Sequence, residues 1–296
     1  MKKFMVFAAI LFLASCTGKK EVKQYTIDQF YKNVSIQFSD FSPDETKGLV
    51  TSNETGIYNL FEIDFADGTR KQVTFSDTES LFGIGYVHGT GQILYSSDKG
   101  GNENDHIYLL NEDGTSTDLT PGEAVKASFS GFSLDKKVIY LLSNKRDARF
   151  FDLYRMNVGE WKEEMVWENS MGLEYAGASR DRSIIAMVQP ITTSESQLFI
   201  HNLATGETKE VSEPGMPGMY SASGFTNDNA WFFYTTDAGR EFSYLMRYSP
   251  ATGERELLYE TSWDVTGSWL SRNEKYQLIG INEDGRIQVN ITDYAT

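Results

Sequence analysis

Short segments in which apolar and polar residues alternate recur along the chain from about residue 34 onward, and they come in pairs. Examples are GLVTSNE with YNLFEIDF, VIYLLSN with FDLYRMN, and AWFFYTT with SYLMRYS. These segments are rich in β-branched and aromatic residues, which is typical of short β-strands. A further short strand follows most pairs, as in RKQVTF and TKEVSE. The pattern therefore predicts repeated groups of four strands.

A polar turn marks each repeat and sets its length. FSPD (41–44), FSLD (132–135), ASRD (178–181), FTND (225–228) and LSRN (270–273) follow apolar segments, and a degenerate copy lies at 87–90. Successive copies are about 46 residues apart. A second turn, which contains glycine, follows the first four full markers by about 24 residues, as FADG, NVGE, NLATGE and SPATGE do. Two markers that keep one phase indicate a true internal repeat.

Four short strands in a unit of about 46 residues are typical of a β-propeller blade. One such blade cannot bury its own faces, so neighbouring blades must stack. We therefore predict an all-β fold, a β-propeller with five complete blades and most of a sixth, over residues 25–296. The alternative is a two-sheet sandwich, which does not require a constant repeat length.

The end of the sequence, ITDYAT (291–296), falls inside the sixth repeat. Its equivalents, HNLAT and YSPAT, are each followed by the turn glycine, at Gly206 and Gly253. We expect the sixth blade to be cut after its third strand, which would leave an unpaired sheet edge.

The first residues are typical of a bacterial lipoprotein signal. Lys2 and Lys3 precede a ten-residue apolar stretch, and Leu-Ala-Ser-Cys at 13–16 resembles a lipobox. This predicts a signal peptide over 1–15, a lipid on Cys16 and a tether over 16–24. Thr17 stands where an aspartate would be linked with inner-membrane retention, so we expect attachment to the outer membrane, with the periplasmic side favoured. Thr26 and Gln29 form a predicted capping box that opens a helix to about Asn33.

Composition limits the partners. The formal net charge of −15 argues against nucleic acid, because the phosphate backbone would be repelled. Cys16 is the one cysteine, and the three histidines lack metal-ligand spacing. We therefore predict no metal and no cofactor. The two NEDG stretches, 111–114 and 282–285, match hairpin turns rather than calcium loops.

Several stretches carry a family resemblance: YTIDQFYKN before FSPD, GGNENDHIYLLNEDG, LTPGEAVKASFSGFS and SNKRDARFFDLYRM. They resemble the N-terminal propeller of bacterial prolyl oligopeptidase family serine peptidases, the dipeptidyl peptidase and acylaminoacyl peptidase-like members above all. The resemblance covers about residues 25–296. It implies that an α/β-hydrolase domain with a Ser-Asp-His triad follows the propeller in the whole peptidase. The FSPD turn is shared with TolB-like propellers.

The sequence carries no serine elbow of the G-x-S-x-G type. Gly131-Phe-Ser-Leu-Asp135 comes nearest, but it lacks the final glycine and coincides with a propeller turn. We therefore expect no catalytic residue in this chain and no hydrolysis by the chain alone. The Glu163-Glu164 pair is similar to the glutamates with which dipeptidyl peptidases hold an amine. Here it falls in a regular fourth strand, where consecutive residues face opposite ways.

Three stretches between second and third strands are long and charged: 96–106, 143–152 and 235–243. Their candidate binding residues are Asn104, Arg146, Arg149, Arg240 and Glu241. The arginines suit a peptide carboxylate, and Asn104 and Glu241 suit an amine or a backbone amide. The resemblance implies that these groups meet a peptide substrate or the hydrolase domain. The other function considered is a TolB-like propeller lipoprotein that binds protein partners in the envelope.

Overall fold

The computed structural model describes residues 22–294 and consists of a short N-terminal unit and a β domain that begins at Ile36. The predicted signal peptide, the lipidation site Cys16 and the last two residues lie outside the described part. In the N-terminal unit, α1 (Ile27–Tyr31) begins at the predicted capping box. The Gln29 amide donates to Thr26 Oγ1 at 3.3 Å, and the Thr26 amide donates to Gln29 Oε1 at 3.0 Å. The helix ends two residues before the predicted Asn33.

The β domain contains six antiparallel sheets, numbered here as blades 1 to 6 in chain order. Blade 1 contains β1 (Ile36–Phe41), β2 (Lys47–Ser52), β3 (Asn59–Asp64) and β4 (Arg70–Gln72). Blade 2 contains β5 (Phe82–Tyr86), β6 (Ile93–Ser97), β7 (His106–Leu110) and β8 (Ser116–Asp118). Blade 3 contains β9 (Ala127–Phe132), β10 (Val138–Asp147), β11 (Phe150–Asn157) and β12 (Glu163–Trp167).

The second half of the domain repeats this order. Blade 4 contains β13 (Glu174–Ala178), β14 (Ile184–Thr192), β15 (Glu195–Asn202) and β16 (Thr208–Glu210). Blade 5 contains β17 (Tyr220–Phe225), β18 (Phe232–Thr236), β19 (Tyr244–Tyr248) and β20 (Arg255–Tyr259). Blade 6 contains β21 (Asp264–Leu270), β22 (Tyr276–Glu283) and β23 (Arg286–Asp293). Five four-stranded sheets and one three-stranded sheet over residues 36–294 confirm the predicted all-β, incomplete propeller.

Five apolar clusters hold the blades together, one between each pair of successive sheets. Between blades 4 and 5, for example, Leu198 and Ile200 pack against Phe232 and Tyr234. In blades 2 to 5, one face of the sheet thus packs on the blade before it and the other on the blade after it. Stacking of this kind buries apolar area that a single blade would leave in water.

The repeated polar turn has the same hydrogen bonds in five blades. In blade 1 the Ser42 hydroxyl donates to Asp44 at 2.7 Å, and the Lys47 amide donates to Ser42 Oγ at 2.9 Å. The equivalent first bonds run from Ser133 to Asp135, Ser179 to Asp181, Thr226 to Asp228 and Ser271 to Asn273. The marker therefore recurs because a hydroxyl two residues before the acid or amide closes the turn between the first and second strands.

Candidate functional site

One face of the propeller carries the turns between second and third strands. Each sheet is a simple meander, so this turn and the connection to the next blade emerge at the same side, which we call the 2–3 face. The turns between first and second strands, and between third and fourth strands, emerge at the opposite side. Three clefts on the 2–3 face contain predicted site residues.

The structure corrects one of the three predicted loops. Residues 98–105 and 237–243 are loops, but most of 143–152 continues the strands β10 and β11. Ser143 pairs with Asp152, and Asp147 pairs with Phe150, so only Ala148 and Arg149 form the turn. The charged residues of this stretch are therefore fixed on a β-hairpin that projects from blade 3.

Arg146 lies on the hairpin, partly exposed, and does not line any of the three clefts. Its Nε and Nη2 donate to the Asp152 carboxylate at 2.7 and 2.8 Å, and Nη2 also donates to the Asn169 carbonyl at 3.1 Å. These hydrogen bonds raise the pKa of the Arg146 guanidinium further above its usual value. Asp152 is fully buried and also accepts from the Asn169 amide. Arg146 thus neutralises a buried carboxylate and ties blade 3 to the segment that enters blade 4.

Arg149 lies in the blade 3–4 cleft, which has a volume of about 460 Å³. Its Nε and Nη2 donate to the Asp147 carboxylate at 3.0 and 2.7 Å. These bonds lower the pKa of Asp147, and they use two of the five N–H donors of the guanidinium. The other residues that line this cleft are Lys126, Ser128, Leu142, Phe151, Asn169, Gly172, Leu173, Glu174 and Tyr175. The cleft combines an apolar floor with two cations, Arg149 and Lys126, and one carboxylate, Glu174.

Asn104 lies in the blade 2 cleft, of about 550 Å³, together with Lys99, Asn102 and Glu123. The cleft also contains a contact between a histidine and a carboxylate that the sequence analysis missed. His106 Nδ1 lies 2.7 Å from Asp118 Oδ2, and His106 Nε2 lies 3.1 Å from the Val125 carbonyl. The predicted hairpin could have indicated this contact, because His106 begins β7 and Asp118 ends β8, and the two strands are antiparallel neighbours.

Arg240 and Glu241 are the two predicted residues that the structure brings together. They lie in the blade 4–5 cleft, of about 550 Å³, on the loop between β18 and β19. Arg240 forms an ion pair with Glu260, and its guanidinium lies 4.1 Å from the centre of the Tyr244 ring. Its charge is therefore already paired.

Two further carboxylates of the blade 4–5 cleft, Glu195 and Asp237, were not predicted. Asp237 accepts a hydrogen bond of 2.7 Å from the Met219 amide, which fixes its position. With Glu241 they make the cleft acidic, which suits an ammonium group better than a carboxylate. Glu195 follows the two-residue turn between β14 and β15, so its position in the repeat could have placed it on the 2–3 face. Asn104, Arg149 and the Arg240–Glu241 pair occupy three separate clefts.

The residues that were weighed as catalytic have structural partners. The Ser133 hydroxyl donates to Asp135 at 2.7 Å and accepts from the Val138 amide at 3.0 Å, as the equivalent turn serines do. Glu163 and Glu164 lie in the fourth strand of blade 3, as predicted. Glu163 forms an ion pair with Lys145, and Glu164 lies 2.8 Å from Arg155.

Neither a metal cluster nor a membrane-spanning helix is found in residues 22–294. No group of three or more His, Cys, Asp or Glu there could hold a metal ion. No helix in this range is long and apolar enough to cross a bilayer. The NEDG stretch at 282–285 ends in the two-residue turn between β22 and β23, with positive φ at Asp284 and Gly285.

Comparisons with known proteins show the fold. Neither a protein-family model nor a curated protein matches the chain. A prolyl endopeptidase structure superposes with a TM-score of 0.63 at 13% identity, over 88% of this chain and 41% of that one. An oligogalacturonate lyase in complex with manganese superposes with 0.62 at 12% identity, over 88% and 76%. TolB from Acinetobacter baumannii gives 0.48 at 20% identity, over 75% and 53%.

The chain thus spans about half of the TolB chain and less than half of the prolyl endopeptidase chain. At these identities the likeness is one of fold. The fold is the β-propeller that prolyl oligopeptidases share, and the described residues contain no hydrolase domain beside it.

Proposed function

We propose that this chain is the non-catalytic propeller part of a cell-envelope serine peptidase of the prolyl oligopeptidase family. In this proposal the 2–3 face binds short peptides and limits which of them reach a hydrolase domain. A lipid on Cys16 would hold the protein at the outer membrane. The likeness in fold to a prolyl endopeptidase supports the family, and the residue stretches quoted above support it independently.

The observation that carries the binding role is the blade 3–4 cleft. Its apolar floor, which includes Phe151, Leu173 and Tyr175, suits a hydrophobic side chain. Arg149, which pairs with Asp147, and Lys126, which lies 3.8 Å from Asp105, are the cations beside that floor. Arg149 keeps three N–H donors beyond those that Asp147 accepts, and a guanidinium can bind a carboxylate through two parallel hydrogen bonds. An apolar residue with a free C-terminal carboxylate meets both requirements. The acidic blade 4–5 cleft offers the opposite preference, for a peptide amine.

Calorimetric titration with the tripeptide Ala-Pro-Phe tests this role. We expect saturable binding of the peptide with free termini and weaker binding of its C-terminal amide. Arg149→Gln should weaken binding of the free peptide about threefold to fivefold, as for an exposed ion pair, and should leave the amide unaffected. Arg272→Gln changes an exposed arginine in a turn on the opposite face and serves as the matched control. Equal binding of acid and amide by the unaltered protein would contradict the proposal.

A parallel pair of variants tests the amine preference of the blade 4–5 cleft. Glu241→Gln should weaken binding of a peptide with a free amine and should not change binding of its N-acetyl form. Glu254→Gln is the control, because Glu254 lies in the turn between β19 and β20 of the same blade, on the opposite face.

The second candidate is the TolB-like propeller lipoprotein that binds other proteins. The observation that favours it is the exposure of large apolar side chains on blades 1 and 6, which suits contact with protein. Titration separates the two candidates, because a protein-binding scaffold has no reason to distinguish a peptide acid from its amide.

A further inference from the structure

Both ring nitrogens of His106 face hydrogen-bond acceptors. Nδ1 lies 2.7 Å from Asp118 Oδ2 in the neighbouring strand β8, and Nε2 lies 3.1 Å from the Val125 carbonyl oxygen, in the segment that leads to blade 3. The Thr120 amide donates to Asp118 Oδ1 at 2.9 Å, which fixes the carboxylate beside the ring. The His106 side chain is 14% exposed, so water has little access to the ring.

A neutral imidazole cannot satisfy both contacts. It has one N–H donor and one nitrogen lone pair, whereas a carboxylate and a carbonyl oxygen are both acceptors. The arrangement therefore requires one proton more than a neutral ring beside an ionised Asp118 carboxylate provides. Whether the extra proton lies on Nδ1 or on Asp118, Nε2 must carry a hydrogen to bind the Val125 carbonyl.

Loss of the extra proton breaks one of the two contacts in particular. A hydrogen on Nδ1 keeps a charge-assisted bond to Asp118, whereas a hydrogen on Nε2 alone would leave a nitrogen lone pair 2.7 Å from a carboxylate oxygen. The first tautomer is therefore favoured. Its Nε2 turns a lone pair towards the Val125 carbonyl oxygen, which is repulsive. Deprotonation thus releases Val125 and not Asp118.

Val125 ends a short segment, 121–125, that is attached to the sheets at its two ends. The flanking residues Thr120 and Lys126 are each fixed by a hydrogen bond to a strand, of 3.0 and 2.7 Å. The first four residues of the segment are exposed. In the described part of the chain, His106 is the one blade 2 side chain that donates a hydrogen bond to this segment. The segment therefore depends on the ring for its position.

The same segment forms part of the wall of the blade 2 cleft. Gly122 and Glu123 line this cleft together with Asn104, one of the predicted binding residues. A change in the position of segment 121–125 therefore changes the shape of the cleft.

We propose that His106 is a proton-dependent clamp that shapes the blade 2 cleft. With the extra proton present, the ring holds Val125 and the wall of the cleft is fixed. Histidine ordinarily changes its charge between about pH 5 and pH 8, so the wall should be fixed at the acidic end of this range and mobile at the alkaline end. The clamp goes beyond the proposed peptide binding, which rests on the blade 3–4 and blade 4–5 clefts.

The other charged groups of the segments next to His106 are carboxylates and lysines, which ordinarily titrate outside this range. They are Asp98, Lys99, Glu103 and Asp105 of the loop before β7, Glu123 and Lys126 of the segment after β8, and Glu79 of the segment before β5. The Tyr108 ring lies 6.1 Å from the His106 ring between centres, and burial raises the pKa of its hydroxyl, which therefore stays neutral as well. A transition in this range thus reports on His106.

Spin-label mobility at residue 124 tests the clamp, in a Cys16→Ser background with a nitroxide on Ala124→Cys. We expect a restricted label at about pH 5.5 and a mobile label at about pH 8.5. Asp118→Asn removes the anion that favours the extra proton, so the change in mobility should move to lower pH by about one unit. His106→Gln should abolish the change, because an amide side chain does not ionise. Ala251→Cys, in an exposed turn on the opposite face, carries the control label and should not respond.

Nitrogen NMR of the histidine rings locates the proton over the same pH range. His106 should carry hydrogen on both nitrogens at acidic pH and keep it on Nδ1 at alkaline pH, with His88 and His201 as internal references. A His106 ring that keeps its hydrogen on Nε2 at alkaline pH would overturn the proposal. So would a label at residue 124 whose mobility does not change as His106 titrates. Neither result depends on the binding of a peptide.

Discussion

Arg146 donates two hydrogen bonds to the fully buried carboxylate of Asp152, at 2.7 and 2.8 Å. Arg149, three residues later, lies in the exposed turn of the same hairpin and donates to Asp147. The two arginines were equivalent candidates in the sequence. The structure gives them different tasks, because one neutralises a charge in the interior and the other borders a cleft.

Removing each arginine should therefore have a different cost. We expect Arg146→Gln to lower the free energy of unfolding substantially, because it leaves the buried Asp152 carboxylate without its cation. Arg149→Gln breaks an exposed pair and should lower the free energy of unfolding far less than Arg146→Gln does. Urea unfolding of both variants measures the difference. Similar costs for the two would show that Arg146 is not the group that neutralises Asp152.

The repeated turns make stability depend on acid. Hydrogen bonds from Ser42 and then Thr46 lower the pKa of Asp44 from 3.8 to about 2, and the pKa values of Asp135 and Asp228 are lowered by similar bonds. A carboxylate with a lowered pKa stabilises the fold fully above its unfolded value. That contribution is lost as the pH falls from about 4 towards 2.

Blade 6 supplies a natural control, because Asn273 makes the same turn with an amide that does not ionise. Asp44→Asn together with Asp135→Asn should flatten the fall in unfolding free energy between pH 5 and about pH 2. Asn273→Asp should steepen it. Denaturant unfolding at several pH values checks both, and an unchanged slope in all variants would show that the turns do not set the acid sensitivity.

Leu245 in β19 and Val289 in β23 occupy equivalent places in the third strands of blades 5 and 6, but Leu245 is fully buried and Val289 is half exposed. Leu245→Ala opens a cavity between blades 5 and 6 and should cost about 2–5 kcal/mol. Val289→Ala should change the free energy of unfolding by no more than about 0.5 kcal/mol, because Val289 is half exposed. Thermal or urea unfolding of the two variants makes the comparison. A large cost at Val289 would mean that this face is covered within a single molecule.

The regular part of the fold could be predicted from sequence because it repeats. A turn with a hydroxyl, an acid and a fixed distance to the next turn is a local signal, and it located five of six blades directly. The hairpin of blade 3 was missed because its charged run contains no glycine or proline to distinguish strand from loop. Its strand character comes from the pairing of Ser143 with Asp152 and from the ion pair beneath it.

The clefts could be predicted only in part. Arg240 and Glu241 stand out because they are charged and lie in a long loop. Glu195 joins them from the start of β15 in blade 4. Asp237 belongs to their own loop, and its carboxylate is positioned by the Met219 amide of the segment before β17. That assembly depends on how neighbouring blades stack, which a repeat length does not reveal.

The central claim is that this chain binds peptides without cleaving them. Its most direct test follows the binding and the integrity of one peptide in the same sample, by calorimetry and then mass spectrometry. We predict saturable binding of Ala-Pro-Phe that depends on Arg149, with the peptide recovered intact. Release of Ala-Pro or Phe that stops after treatment with a serine-directed phosphonate would contradict the account, as would binding that Arg149→Gln leaves unchanged.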